Sequence, residues 1–269
     1  MNKFPRTRLL YQHDQKLRSI ITKVLAVQPV SALSEANRAL FKQAADEDHV
    51  VVTTDTIFYV QGGGQPSDTG IMSSEDAGDV TSFEVASVRH GSEGCVLHLG
   101  RFVPPDSRTF TENESVKQTI DGEKRDLHSR IHTAGHLLGL AVRSLSQSMP
   151  DVTELKAQHY PGSAFVEFQG LIDGKHKGAI QAKTNELMQQ ATPVNVHFWN
   201  EKELKEKCVI VPDNVALPDG ELMRAVEIEG AGAYPCGGTH FPNTSDVGPI
   251  QIRKISRQKG RSKVSYSTS

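Results

Sequence analysis

The chain reads as an α+β protein in two parts, β-rich over residues 1–110 and mixed α+β over 111–269. Three observations predict this. Short β-prone runs, broken by glycine, proline and serine, fill the first 105 or so residues around one helical stretch. A run with a 3.6-residue apolar period follows, in which Leu127, Ile131, Ala134, Leu138, Val142 and Leu145 recur on one face. Strand and helix patterns then alternate to the end.

Residues 8–28 mix Leu, Ile and Val with charges and read as a strand region. SALSEANRALFKQAADED (31–48) reads as a helical insertion opened by a serine N-cap. Residues 50–53 and 56–59 are β-prone and lead into GGGQPSDTG at 62–70; residues 80–89 and 95–99 add short strands. Pro104, Pro105 and the polar residues 106–118 read as a linker. The strong helix covers about 121–147, with Asp121 as N-cap. Strands are expected at 164–168, 193–198 and 222–228, and helices at 178–191 and 201–207. Pro249, Ile250, Ile252 and Ile255, then Val264 and Tyr266, fit two strands about a turn at Gly260.

Composition excludes several classes. With 37% hydrophobic and 23% charged residues the chain is not of the disordered type, and 269 residues suffice for a core without staples. No apolar run approaches the ~18–20 residues of a membrane-spanning helix, so no membrane partner is expected. Three cysteines are too few for a disulfide framework. The N-terminus carries Lys3, Arg6 and Arg8 but no apolar core of a secretory signal, and is too short and serine-poor for a good mitochondrial presequence. A cytoplasmic, reducing location is the expectation. Charge is unevenly placed. Six cations and no acid follow Asp246, so a formal charge of −2 divides into +6 there and −8 elsewhere. Arg257, Lys259, Arg261 and Lys263 are either a solvated tail or a phosphate-facing strip.

Histidine is the outlier, at 11 residues. His132 and His136, in HTAGH, fall one turn apart on the strong helix, where two imidazoles can share an ion. About a hundred residues later, CGGTH brings Cys236 and His240 beside glycines that allow a tight fold. Together they form a His3Cys set of tetrahedral type for which zinc is the natural occupant, one per chain. The competing reading is four unconnected residues. Thr133 stands where a zincin protease needs its glutamate, so an easier bond than an amide, such as an activated ester, is the expected target.

Gly62, Gly63 and Gly64 exceed what a hairpin needs. Three glycines expose backbone N–H groups and admit close ligand approach, and Gln65 offers both a donor and an acceptor to a small polar substrate. Thr56 could discriminate side chains by size and hydrogen bonding. A hairpin with a bulge is the plain alternative, and no GK[ST] follows to make a P-loop.

TIFYVQGGGQPSDTG (56–70), HTAGHLL (132–138) and PCGGTH (235–240) together resemble the editing domain of alanyl-tRNA synthetases, and more closely its free-standing AlaX-type trans-editing relatives. TRLLYQHDQ (7–15) and RQKGRSKVSY (257–266) fit the same family. The threonyl-tRNA synthetase editing domain shares the metal motifs, while the GGGQ loop points to the alanine branch. The resemblance implies a glycine-rich, β-barrel-like N-terminal part packed on a zinc-containing α+β editing domain. It implies hydrolysis in trans of alanine tRNA mischarged with serine or glycine. It makes His132, His136, Cys236 and His240 the metal ligands, Thr56 and Gln65 the groups contacting the aminoacyl end, and Asp68 a support of the loop. The insertion at 31–48 and Gly135, where the synthetase pattern carries a bulkier residue, depart from the family. With no synthetase core before these motifs and no long domain after them, alanine activation is not expected. A non-catalytic binding protein of this fold and a zinc esterase for a small molecule are the rivals. Oligomeric state is left open.

Overall fold

The computed structural model describes residues 4–76, 78, 81–211, 217–218 and 220–269. They divide into two units, Met1–Gly62 with Pro66–Arg125, and Gly63–Gln65 with Asp126–Ser269. The first unit is built on a closed antiparallel barrel. Its strands are β2 (Ser19–Pro29), β3 (His49–Thr53), β5 (Gly70–Ser74), β6 (Ser82–His90), β7 (Val96–Val103) and β8 (Ser115–Ile120), ordered β2-β3-β7-β6-β5-β8. The short strands β1 (Arg8–Leu9) and β4 (Asp55–Thr56) pair in parallel beside it. Val24, Val51, Met72, Phe83, Phe102 and Val116 fill the core of this unit.

β8 takes in residues 115–118, the end of the stretch expected to be a linker, and runs on to Ile120. It closes the barrel against β2 and β5, so the units divide at Arg125/Asp126 and not at 110/111. Its alternation is disguised because an inward position is polar. Gln118 is fully buried, accepts from Ile57 N–H and donates to Thr53 Oγ1. The expected strand at 56–59 stops at Thr56, and Ile57–Val60 runs on as buried irregular chain. Of the expected strand at 80–89, residue 80 lies outside the described residues.

The insertion at 31–48 is not one helix. It holds the end of a 3-10 turn (Val30–Ala32) and one α-helical turn, α1 (Glu35–Arg38), capped by Ser34, which accepts from Asn37 N–H. An 18-residue helix would span about 27 Å, yet Pro29 and His49 are paired neighbours in the sheet, so the segment must double back. Its Leu33 and Phe41, with Val30 just before it, pack on Val50, Val52, Leu97 and Leu99. This cover explains why β3 is buried on both faces: Val51 faces one cluster, Val50 and Val52 the other.

In the second unit, β9 (Thr153–Gln158), β10 (Phe165–Gln169), β14 (Ile250–Gln258) and β15 (Arg261–Thr268) form a sheet ordered β14-β15-β10-β9. A three-stranded sheet joins β11 (Val194–Trp199), β12 (Met223–Ile228) and β13 (Gly232–Pro235) in that order. Helix α2 (Gly122–Ser144) starts at the expected cap, with Asp121 Oδ1 accepting from Lys124 N–H. Its Ile131, Ala134, Leu138 and Val142 join the core, but Leu127 at the apolar face's start is 40% exposed. Helix α3 (Lys177–Gln189) docks on β14 through Gln181, which donates to Ile250 O and accepts from Ile252 N–H. Helix α4 (Glu201–Lys207) carries an Asn200–Glu203 capping box. Strands β9 and β13 fall where polar and glycine-rich sequence concealed them. Lys259 and Gly260, both at positive φ, make the two-residue hairpin turn between β14 and β15. Among the described residues, no helix is long and apolar enough to cross a membrane.

Candidate metal centre

Helix α2 places His132 and His136 one turn apart on its buried side, and the chain leaving β13 turns through Cys236 to His240 beside them. Ligand atoms from all four lie within 4.8 Å of one another. Cys236 Sγ is 3.3 Å from His240 Nε2 and 3.6 Å from His132 Nε2. The three histidines are buried, while Cys236 is partly exposed. Burial holds the histidines neutral: His136 falls to about 3, His132 and His240 well below the usual range. Burial pushes the Cys236 thiol up, and the Arg224 guanidinium pulls against it. These four groups could hold a metal ion.

Two of the imidazoles are aimed by hydrogen bonds. Gln65 Oε1 accepts from His132 Nδ1–H at 2.7 Å and from Thr239 N–H at 3.1 Å, while Gln65 Nε2 donates to Thr239 Oγ1. Thr133 Oγ1 donates to Ser129 O, so it accepts from His240 Nδ1–H at 3.2 Å. In both rings Nδ1 carries the proton and Nε2 is left as the ligand atom. The residue at the missing glutamate's position thus orients a histidine. His136 is held differently. No described residue bonds its Nδ1, and its ring packs 4.5 Å from that of Tyr234, whose hydroxyl donates to Glu154. Burial raises the Glu154 carboxyl to about 7.

The sequence did not reveal His159. Its ring stacks on His132 at 4.0 Å, and its Nδ1–H donates to Tyr266 Oη, which donates to Ile131 O. Gly135 exists for this neighbour: a Cβ there would lie 2.3 Å from the His159 ring and 2.7 Å from Tyr266 Oη. Arg224, also unforeseen, donates to the carbonyls of Cys236 and Gly238 and holds the turn between the ligands. Neither carries a motif: Arg224 acts from β12, and His159 from the residue just after β9, in places that only the fold sets.

The glycine loop is built for close approach. Gly64 has φ +78°, and a Cβ would fall 2.4 Å from Ala157 O, while its own carbonyl accepts from His159 N–H. Gln65 is thereby fully buried beneath the cluster, aiming a ligand. Thr56 and Asp68 lie in the first unit with Gly62. His98 Nδ1–H donates to Val51 O, so Thr56 Oγ1 donates to His98 Nε2 at 2.8 Å and accepts from Phe58 N–H. Asp68 accepts from Tyr59 N–H and forms a buried ion pair with Arg125, which also donates to Ile57 O and Gln15 O. Arg257, Lys259, Arg261 and Lys263 are all exposed on the β14–β15 hairpin.

Residues 6–124 match the family model for class II (A) tRNA synthetases, and residues 223–264, with Cys236 and His240, match the second additional domain of threonyl and alanyl tRNA synthetases. The alanyl-tRNA editing protein AlaX-M of Methanosarcina barkeri is 32% identical over 221 residues, 80% of this chain and 86% of that protein. The chain belongs to the alanyl-tRNA editing protein family. Similarity within the family extends to larger enzymes. The alanine–tRNA ligase of Methanosphaera stadtmanae is 28% identical over 99% of this chain, and that of Methanococcus maripaludis 27% over 96%. The editing-family chain spans only 27% and 29% of those ligases' lengths.

Proposed function

We propose that this chain hydrolyses the ester between alanine tRNA and a wrongly attached serine or glycine, with zinc bound by His132, His136, Cys236 and His240. The observation that carries the reading is the convergence of three neutral imidazoles and one thiol, two of the imidazoles with their tautomer set. The spacing supports zinc. Four-coordinate bonds of about 2.0–2.1 Å to nitrogen and 2.3 Å to sulfur put the two ligand atoms about 3.5 Å apart, against the 3.3 and 3.6 Å found. The buried His136 Nδ1, which no described residue bonds, fits a ring whose place is set by something other than a hydrogen bond.

Zinc, when bound, supplies a Lewis acid that can polarise or orient an ester carbonyl. Four protein ligands ordinarily make a closed site. Cys236 is the most exposed of the four groups that would hold zinc. Gln65 and Thr133 hold His132 and His240 in the orientation that zinc would need. In this reading the backbone of Gly62, Gly63 and Gly64 receives the aminoacyl end. Thr56, its hydroxyl already committed to His98, selects chiefly by size. Asp68 holds the base of the loop.

The test is deacylation of Ser-, Gly- and Ala-tRNA(Ala) by wild type, Cys236→Ala and Gln65→Ala, with zinc content measured alongside. Hydrolysis of the first two by wild type, lost with zinc in Cys236→Ala, is the expected result. Undiminished hydrolysis by Cys236→Ala overturns the metal's role, and no hydrolysis by zinc-loaded wild type overturns the activity.

A further inference from the structure

We infer that the outer face of the sheet β14-β15-β10-β9 is a docking surface for an RNA phosphate backbone, a reading that rests on the tRNA substrate proposed above. Strand register lines up Ser256, Lys263, Glu167 and Lys156 in one row across all four strands. Arg261 lies two residues along β15 from Lys263, on the same face and about 6.8 Å away. Ser262 and Val264 alternate with them and are buried on the other side.

At the centre of the row is one buried carboxylate. Glu167, 4% exposed, lies 3.8 Å from Lys156 Nζ, 3.7 Å from Lys263 Nζ and 3.4 Å from Arg261 Nη1. All three cations remain exposed. Three cations gathered on one anion leave a local excess of two positive charges and several N–H donors turned to solvent. With Arg257 and Lys259 they line a groove of about 910 Å³, where Arg257 is partly offset by Asp173 at 3.6 Å.

This is more than the linear strip read from 257–263. Lys156 and Glu167 come from strands about a hundred residues earlier, and the carboxylate holds mutually repelling cations together in one row. Repeating negative charge with several acceptor oxygens per unit complements such a row. Lys263 also lies over the Phe165 ring at 4.5 Å, which puts an aromatic beside the cations, as single-stranded RNA contacts use.

The test is binding of uncharged tRNA to the full metal-loaded chain between roughly 50 and 200 mM salt. The Lys156→Gln/Arg261→Gln/Lys263→Gln variant should bind at least tenfold more weakly at low salt. Its log–log salt slope should be shallower by about 2–3. Lys202→Gln/Lys205→Gln/Lys207→Gln, which removes equal charge from α4, should change neither. Glu167→Gln should tighten binding, whereas a merely structural role would weaken it. If the triple variant fails to fold with its carboxylate stranded, adding Glu167→Gln removes that charge. An unchanged slope, an equal loss in the α4 control, or a defect seen on phosphatidylserine vesicles but not on tRNA overturns the proposal. Uncharged tRNA has no aminoacyl ester, so a chain that binds it by this face yet deacylates nothing refutes the activity alone.

Discussion

Two buried polar networks, one in each unit, are put together in opposite ways. In the barrel unit, Asp68 is matched to Arg125, and His98 has both ring nitrogens engaged, Nδ1 to Val51 and Nε2 to Thr56. Donors meet acceptors and the network closes on itself. In the second unit, three histidines and Cys236 bring ligand atoms within 4.8 Å of one another, with the protons of His132 and His240 turned outward to Gln65 and Thr133. Among these facing atoms the Cys236 thiol is a weak donor shared between two imidazole nitrogens, so a cation would satisfy the network better than its own groups do. The difference separates burial that stabilises a fold from burial that prepares a site.

The largest effect should come from breaking the closed network. Arg125→Met strands a buried carboxylate and should cost about 3–5 kcal/mol in chemical denaturation, whereas Arg125→Met with Asp68→Leu should recover part of that. An equal loss in both would mean that the pair is not the unit of stability. Next is the open network. Stripping metal with a chelator should lower stability by about 2.7 kcal/mol when the free metal had stood a hundredfold above its Kd, and Cys236→Ser should abolish this response. If chelator leaves the wild-type denaturation curve unmoved, the contrast between the units fails. Gln65→Leu should weaken metal binding about 10–100-fold in a competition titration, because His132 loses its acceptor. Tyr234→Phe should cost about 1 kcal/mol of stability and spare metal affinity. Tyr234→Ala should lose affinity, since ring packing is what places His136.

Acid extends the comparison to the metal-free protein. Burial lowers His98 from its usual 6.5 to about 4, and His136 and His159 to about 3. The unfolded chain therefore takes up more protons than the folded one below 6.5, and stability falls as pH drops from there towards those values. Removing His98 by substitution should flatten its share of that slope between 6.5 and 4, which denaturation across a pH series measures.

The four candidate ligands are legible in the sequence because their determinants are local. HTAGH is a helix-turn repeat and CGGTH a glycine-flanked turn, and neither needs knowledge of the rest of the fold. The helix at 121–147 and the hairpin about Gly260 were legible for the same reason. The insertion was misread because local helix propensity said nothing of Pro29 and His49 being neighbours. Strand β8 was hidden by Gln118, which is inward only because the barrel supplies it with partners.

Local pattern was thus enough for the α+β class, for the four candidate ligands and for the sign of charge near the C-terminus. It could not show that Gln65 reaches His132 across 67 residues, that His159 stacks where Gly135 leaves room, or that Lys156 and Glu167 share a row with Lys263. Those relations are set by strand register and close packing, which join residues distant in the chain and leave no periodic trace along it.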